Sequence, residues 1–151
     1  MLKIGLITDK NHEKIAKDLV KWAKLKLPKV KLSVVNKKAN ANSILDNCDH
    51  AVNLLNTKKL DRLVCIDEWG IAAFMYLAKF PHLVVAEIND EHSAYMTTLH
   101  NNSNVISLGS KITTVDQMKN IIIYFVNSTY EGARHKVRID MMEKLVEGCG
   151  C

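Results

Sequence analysis

Glycine and proline are scarce in this chain, at six and two of 151 residues, so neither a disordered tail nor a low-complexity linker is indicated. No apolar stretch approaches the roughly 20 residues that span a bilayer. The opening Met1-Leu2-Lys3-Ile4-Gly5 holds one lysine before an apolar run too short for a signal peptide, so a non-membrane, cytoplasmic protein is expected. The four cysteines lack metal-ligand spacing apart from the tail Cys149-Gly150-Cys151, which is expected to fray; Cys48 and Cys65 sit in apolar contexts and suit a reducing compartment. Arginine is also rare, with only Arg62, Arg134 and Arg138. The net charge of +5 therefore comes from lysines spread over turns and helix faces. No arginine-rich or aromatic-interleaved stretch accompanies them, which argues against nucleic acid and for a solvated surface. The dinucleotide fingerprint, a Walker A loop, HExxH, GxSxG and a CxxC pair are all missing, which excludes the chemistry those motifs carry.

What is present is a steady alternation. Hydrophobic residues make up 48% and charged residues 25%, an ordinary globular balance, and the length suits one domain over residues 1–151. Apolar runs at Ile4–Thr8, Leu63–Ile66, Leu83–Ile88 and Val105–Leu108 read as strands. Val30, Leu32 and Val34 alternate with Lys31 and Ser33, which predicts a strand with one exposed side. Helical spacing lies between the strands, at Ile15–Ala23, Ile44–Leu55, Ile71–Phe80, Asp90–Leu99 and Met118–Phe125, the last opened by a Thr114–Gln117 capping box. A last helix is predicted over Arg134–Val146. The expected fold is a three-layer α/β/α, Rossmann-like arrangement with a five-stranded parallel sheet and an extra C-terminal helix. Ligands in such sheets bind beyond the carboxyl ends of the strands, here Asp9, Asp67–Gly70, Asn89–Asp90 and Gly109–Lys111.

Two segments concentrate chemistry. In Tyr130–Arg138 two of the three arginines fall four residues apart on one helix face, and guanidinium forks grip phosphate bidentately where lysine offers a point charge. A surface pair bridged to carboxylates is the structural alternative. In Asp90–Asn102, His100 and Asn101 end a predicted helix, where an imidazole can relay protons to a sugar ring oxygen or simply cap carbonyls. His12, His50, His82 and His135 have less context and are read as structural or surface residues.

DEHSAYMTTLHNNSNVISLGSK and YEGARHKVRIDMM resemble the ribose-5-phosphate isomerase B / galactose-6-phosphate isomerase family, and the likeness runs from Asp9 to about Leu145. Ile66–Gly70 and Ser93–Thr97 are nearest to the A-type chains of its galactose-6-phosphate members. The resemblance implies that Asp9 bonds substrate hydroxyls, His100 assists ring opening, Asn101 contacts substrate, and Arg134 and Arg138 bind phosphate. Lys111 falls where relatives often carry another basic group. It also implies an active site built between two subunits and no metal or organic cofactor.

The departures are specific. Where relatives often carry Asp-His after the first strand, this chain has Asp9-Lys10, and a cysteine base with a glycine-rich loop is replaced by Asp67-Glu68-Trp69-Gly70. Cys65 lies two positions earlier, inside the strand, and is no substitute. Glu68 and Trp69 are expected to crowd the place of the enediolate oxygen. Asp67 would act as a base only with a pKa raised by burial. The expected function is thus one subunit of an aldose–ketose isomerase in the lactose and tagatose 6-phosphate route, interconverting D-galactose 6-phosphate and D-tagatose 6-phosphate beside a B-type partner. A homodimeric isomerase of ribose 5-phosphate or another sugar phosphate, and a non-catalytic sugar-phosphate-binding protein, remain open as alternatives.

Overall fold

Apolar runs become strands wherever both faces can be covered. A computed structural model describes residues 1–37 and 41–148, so the Cys149–Cys151 tail lies outside the described residues. The strands are β1 (Leu2–Thr8), β2 (Val30–Val34), β3 (Arg62–Asp67), β4 (Val85–Glu87) and β5 (Val105–Gly109). They form one sheet in the order β2-β1-β3-β5-β4 with every pairing parallel. The helices are α1 (Glu13–Lys26), α2 (Leu45–Asn56), α3 (Ile71–Leu77), α4 (Glu91–Asn101), α5 (Val115–Asn127) and α6 (Arg134–Gly148). This is the expected parallel α/β/α architecture with its extra terminal helix.

Alternation along the strands splits the core in two. Leu6, Val64, Ile66, Ile106 and Leu108 pack with Leu19 of α1, Ala94 of α4 and Phe125 of α5 on one face. Ile7, Leu63, Cys65 and Val105 pack with Cys48 and Leu55 of α2 and Leu77 of α3 on the other. Cys48 and Cys65 are buried free thiols, and burial pushes the Cys48 pKa up to about 12, so both serve as small hydrophobes. The third arginine is structural: the Arg62 guanidinium donates to the carbonyls of Phe125 and Ser128, where the last carbonyls of α5 lack helical partners.

Caps fall where the residues predict them. Thr114 and Gln117 form a reciprocal capping box at α5, and Asp90 Oδ1 accepts from Ser93 N at 2.8 Å to start α4. Two elements are shorter than their apolar runs. Helix α3 stops at Leu77 because Lys79 N and Phe80 N bond to Tyr76 O and Leu77 O, tightening the last turn before Pro81. Strand β4 holds only Val85–Glu87 of Leu83–Ile88, with Val105 N of β5 donating to Val84 O just before it and Ile88 N donating to Ser107 O just after it.

At the carboxyl end the turns after β3 and β5 are pressed together. Ser110 N donates to Asp67 O at 2.9 Å and Lys111 N to Glu68 O at 3.0 Å. A Cβ on Gly109 would lie 2.6 Å from the carbonyl carbon and oxygen of Trp69, and Gly70 sits in the left-handed region at φ +78 with Gly109 N 2.9 Å from its own would-be Cβ. Gly109→Ala should therefore cost about 1–3 kcal/mol, the usual range for overpacking, read as a lower urea midpoint with an unchanged m-value.

Candidate active site

The residues singled out in the sequence separate into two groups. Asp9 follows β1, Asp67 ends β3 and Lys111 follows β5, so these three share the carboxyl edge of the sheet. His100 and Asn101 close α4, which runs back along the sheet to the turn that enters β5, so they share the amino edge with α6. Between the edges lies the length of β5, about 16 Å at some 3.3 Å per residue.

At the amino edge, α6 starts from two residues with positive φ, Gly132 at 67 and Ala133 at 48, and the preceding segment is held by Glu131 N bonding to Leu99 O at 2.9 Å. That turn lays α6 across the end of α4. Arg138 Nη2 donates to Asn101 Oδ1 at 2.6 Å and to the His100 carbonyl at 3.4 Å, covering the open helix end. Arg134 Nε reaches His135 Nε2 at 3.4 Å. The rings of His100 and His135 stack with centroids 4.1 Å apart and planes 12° apart, and Glu131 Oε2 lies 3.8 Å from Nε2 of each. Both guanidinium groups are exposed while His135 is buried, so the patch offers an anion two forks above an imidazole floor.

His100, Glu131 and His135 have ligand atoms within 4.8 Å of one another. Their geometry suits a cation poorly, because near-parallel rings send their nitrogen lone pairs side by side, and Arg134 and Arg138 add positive charge. An anionic ligand fits better.

At the carboxyl edge, Asp67 Oδ1 accepts from Trp69 N at 2.9 Å and from Gly70 N. The amides that a glycine loop would turn toward an enediolate oxygen are therefore taken by the chain's own carboxylate. The Glu68 and Trp69 side chains beside these amides are exposed. Asp67 Oδ2 and the neighbouring Glu87 Oε1 are buried without hydrogen-bond partners among the described residues. Burial first, and then the Asp67 charge, raise the Glu87 pKa above its ordinary value, while a bond from Asn89 opposes them. Asp9 is spent locally: its Oδ1 accepts from Asn11 N, His12 N and His12 Nδ1, the last at 2.6 Å, and His12 Nε2 meets Ser110 Oγ at 2.7 Å.

Sequence spacing missed His12 and His135, each read above as structural or surface. Both are more than nine-tenths buried and bonded or stacked on a residue of the candidate site. For each a local signal existed, since His135 lies between the two arginines and His12 three residues after Asp9; only the contact of His12 with Ser110, 98 positions away, had none. A cavity of about 570 Å³ between α6 and the β4 edge is lined largely by apolar side chains such as Phe74, Leu83 and Met142, a poor match for a phosphorylated sugar.

His135 yields a pH prediction. Burial chiefly, then the positive charges of His100, Arg138 and Arg134, lower its pKa, with Glu131 opposing. The native state thus resists a proton that the unfolded chain accepts at pH about 6.5. This part of the stability is complete above that value and is lost as pH falls toward the lower native pKa. NMR titration should place the His135 midpoint below that of free histidine, and His135→Asn should flatten the acid limb of the stability curve.

A family model described as Ribose/Galactose Isomerase matches residues 4–142. The galactose-6-phosphate isomerase subunit LacA 2 of Streptococcus pyogenes serotype M1 is 37% identical over 134 residues, which is 88% of this chain and 94% of that protein. The galactose-6-phosphate isomerase subunit LacA of Streptococcus agalactiae serotype Ia is 37% identical over 105 residues, 70% of this chain and 74% of that one. Among solved structures, type B ribose 5-phosphate isomerase from Trypanosoma cruzi superposes with a TM-score of 0.91 at 21% identity, over 99% of each chain, a likeness of fold. With the matched span running from β1 into α6, the chain belongs to the Ribose/Galactose Isomerase family.

Proposed function

We propose that this chain is one subunit of an aldose–ketose isomerase that interconverts D-galactose 6-phosphate and D-tagatose 6-phosphate through a cis-enediol, with a B-type isomerase chain as partner. The observation that carries the reading is the separation of the two half-sites: a phosphate-and-imidazole half at one sheet edge, and a carboxylate half at the other that uses up its own amide donors. The length of β5 between the two halves supports a site shared between chains. The names of the LacA relatives support the hexose phosphate and the subunit role. The reading takes residues 1–151 as one isomerase domain, in keeping with the single sheet, and places it in the cytoplasm; among the described residues no helix is long and apolar enough to cross a membrane.

In this scheme Arg134 and Arg138 hold the phosphoryl group, with Arg138 aimed by Asn101 and Arg134 by His135. His100 protonates the ring oxygen as the pyranose opens. The partner supplies the base that moves the proton between adjacent carbons and the amides that receive the enediolate charge. Lys111 serves substrate oxygens at the other half-site together with Asp9 Oδ2, since Asp9 Oδ1 already meets Asn11 N, His12 N and His12 Nδ1. The scheme calls on no metal or organic cofactor.

The buried, unpartnered Oδ2 of Asp67 favours one rival, a homodimeric sugar-phosphate isomerase with Asp67 as base. Co-expression with a B-type chain followed by a coupled isomerase assay separates the two. The chain alone should turn over little substrate and the complex much more; strong activity from the chain alone would overturn the shared-site reading. Asp67→Asn should abolish turnover only under the rival scheme. In the active complex Arg138→Ala should raise KM for the sugar phosphate about 10- to 100-fold, the loss of one or two charge-assisted bonds.

A further inference from the structure

The net charge is unevenly placed. Residues 13–31, which are α1, the turn after it and the start of β2, hold seven lysines against Glu13 and Asp18. That stretch carries +5, and the rest of the chain balances to zero. Lys14, Lys17, Lys21 and Lys24 recur at steps of three and four, which lines them along one face of α1 over about 15 Å. Ala16, Leu19 and Ala23 are buried on the other face. All four lysines are exposed, as are Lys26, Lys29 and Lys31; Lys17 Nζ lies 3.3 Å from Glu13 Oε2. Hydrocarbon protrudes from the same surface. Leu25, four residues after Lys21 and so on the lysine face, is 81% exposed, and Met1 is 82% exposed. Met1 also lines a hollow of about 360 Å³ with Val20, Leu27 and Leu32, and Lys24 and Lys31 belong to the same lining.

We propose that the outer face of α1 and the turn into β2 form a docking surface for an anionic phospholipid bilayer. The lysines meet the phosphate headgroups, and Leu25 and Met1 enter the interfacial zone beneath them. A bilayer offers dense negative charge with hydrocarbon a few ångströms below it, which is the pairing this surface presents. Duplex nucleic acid offers the charge without the hydrocarbon and favours guanidinium forks, yet Arg62, Arg134 and Arg138 all lie outside the stretch. Lysine heads are point charges on flexible apolar stems, which suits a fluid layer of headgroups better than the fixed carboxylates of a protein partner. Each lysine near an anionic surface adds about fivefold to partitioning, and the attraction fades over about 10 Å at 0.1 M salt. Attachment of this kind is reversible and weakens as salt rises. It uses α1 and β2 and neither candidate half-site, so it is independent of the isomerase reading.

The test is co-sedimentation of the full chain with vesicles of phosphatidylcholine alone or with about one-third phosphatidylglycerol. The chain should partition onto the anionic vesicles only, and raising salt from about 0.05 to about 0.5 M should release it. Lys21→Glu with Lys24→Glu should weaken partitioning at least about 25-fold, whereas Lys79→Glu with Lys144→Glu, the same charge change elsewhere, should cost less than about fivefold. Leu25→Ser should weaken it about fivefold at an unchanged melting temperature, because that side chain is exposed in the free protein. This variant and the salt titration keep the proposal open to refutation if the double glutamate chain fails to fold. Equal partitioning onto both vesicle types, equal losses in the two double variants, or no effect of Leu25→Ser would overturn the bilayer assignment. Binding to soluble polyglutamate or duplex DNA as tight as to the vesicles would overturn it too, in favour of a general polyanion surface.

Discussion

All five strands point the same way, and this polarity governs where chemistry can sit. Helix α4 must return the chain from one edge of the sheet to the other before β5 can begin. Whatever ends a strand is thus held a full strand length from whatever ends α4. Asp9, Asp67 and Ser110 gather at one pole, and His100 and Asn101 at the other, because a parallel sheet leaves no alternative. The fold thus divides one list of candidate residues between two edges of the sheet.

Much of this was legible from residue patterns. Continuous apolar runs marked the inner strands, since a strand covered on both faces has no polar side to show. The rarity of arginine was equally informative, because each of the three turns out to hold oxygens or nitrogens in a defined geometry while the lysines range over the surface. The capping residues Thr114, Gln117 and Asp90 were readable because their partners lie three positions away.

The rest depended on contacts that spacing does not encode. Pairing of His12 with Ser110 exists only because β1 and β5 both end at the same edge, two places apart in the sheet. The capture of the Trp69 and Gly70 amides by Asp67 is a local turn, yet a strand-ending aspartate reads the same whether it faces substrate or its own backbone. How much of Leu83–Ile88 pairs with β5 is a property of the assembled sheet that the run itself does not carry.

Helix α6 has a further side. Beyond its arginines it exposes Val137, Met141 and Leu145, each more than 60% accessible, so the element that presents guanidinium groups to an anion also presents bare hydrocarbon to its surroundings. If that hydrocarbon is covered by another chain, ligand capture and assembly become linked quantities. By thermodynamic reciprocity, whatever factor association adds to the grip on an anion, the anion adds to association. A metabolite of this kind would then act as mortar for its own enzyme, holding the subunits together most firmly when there is most to convert.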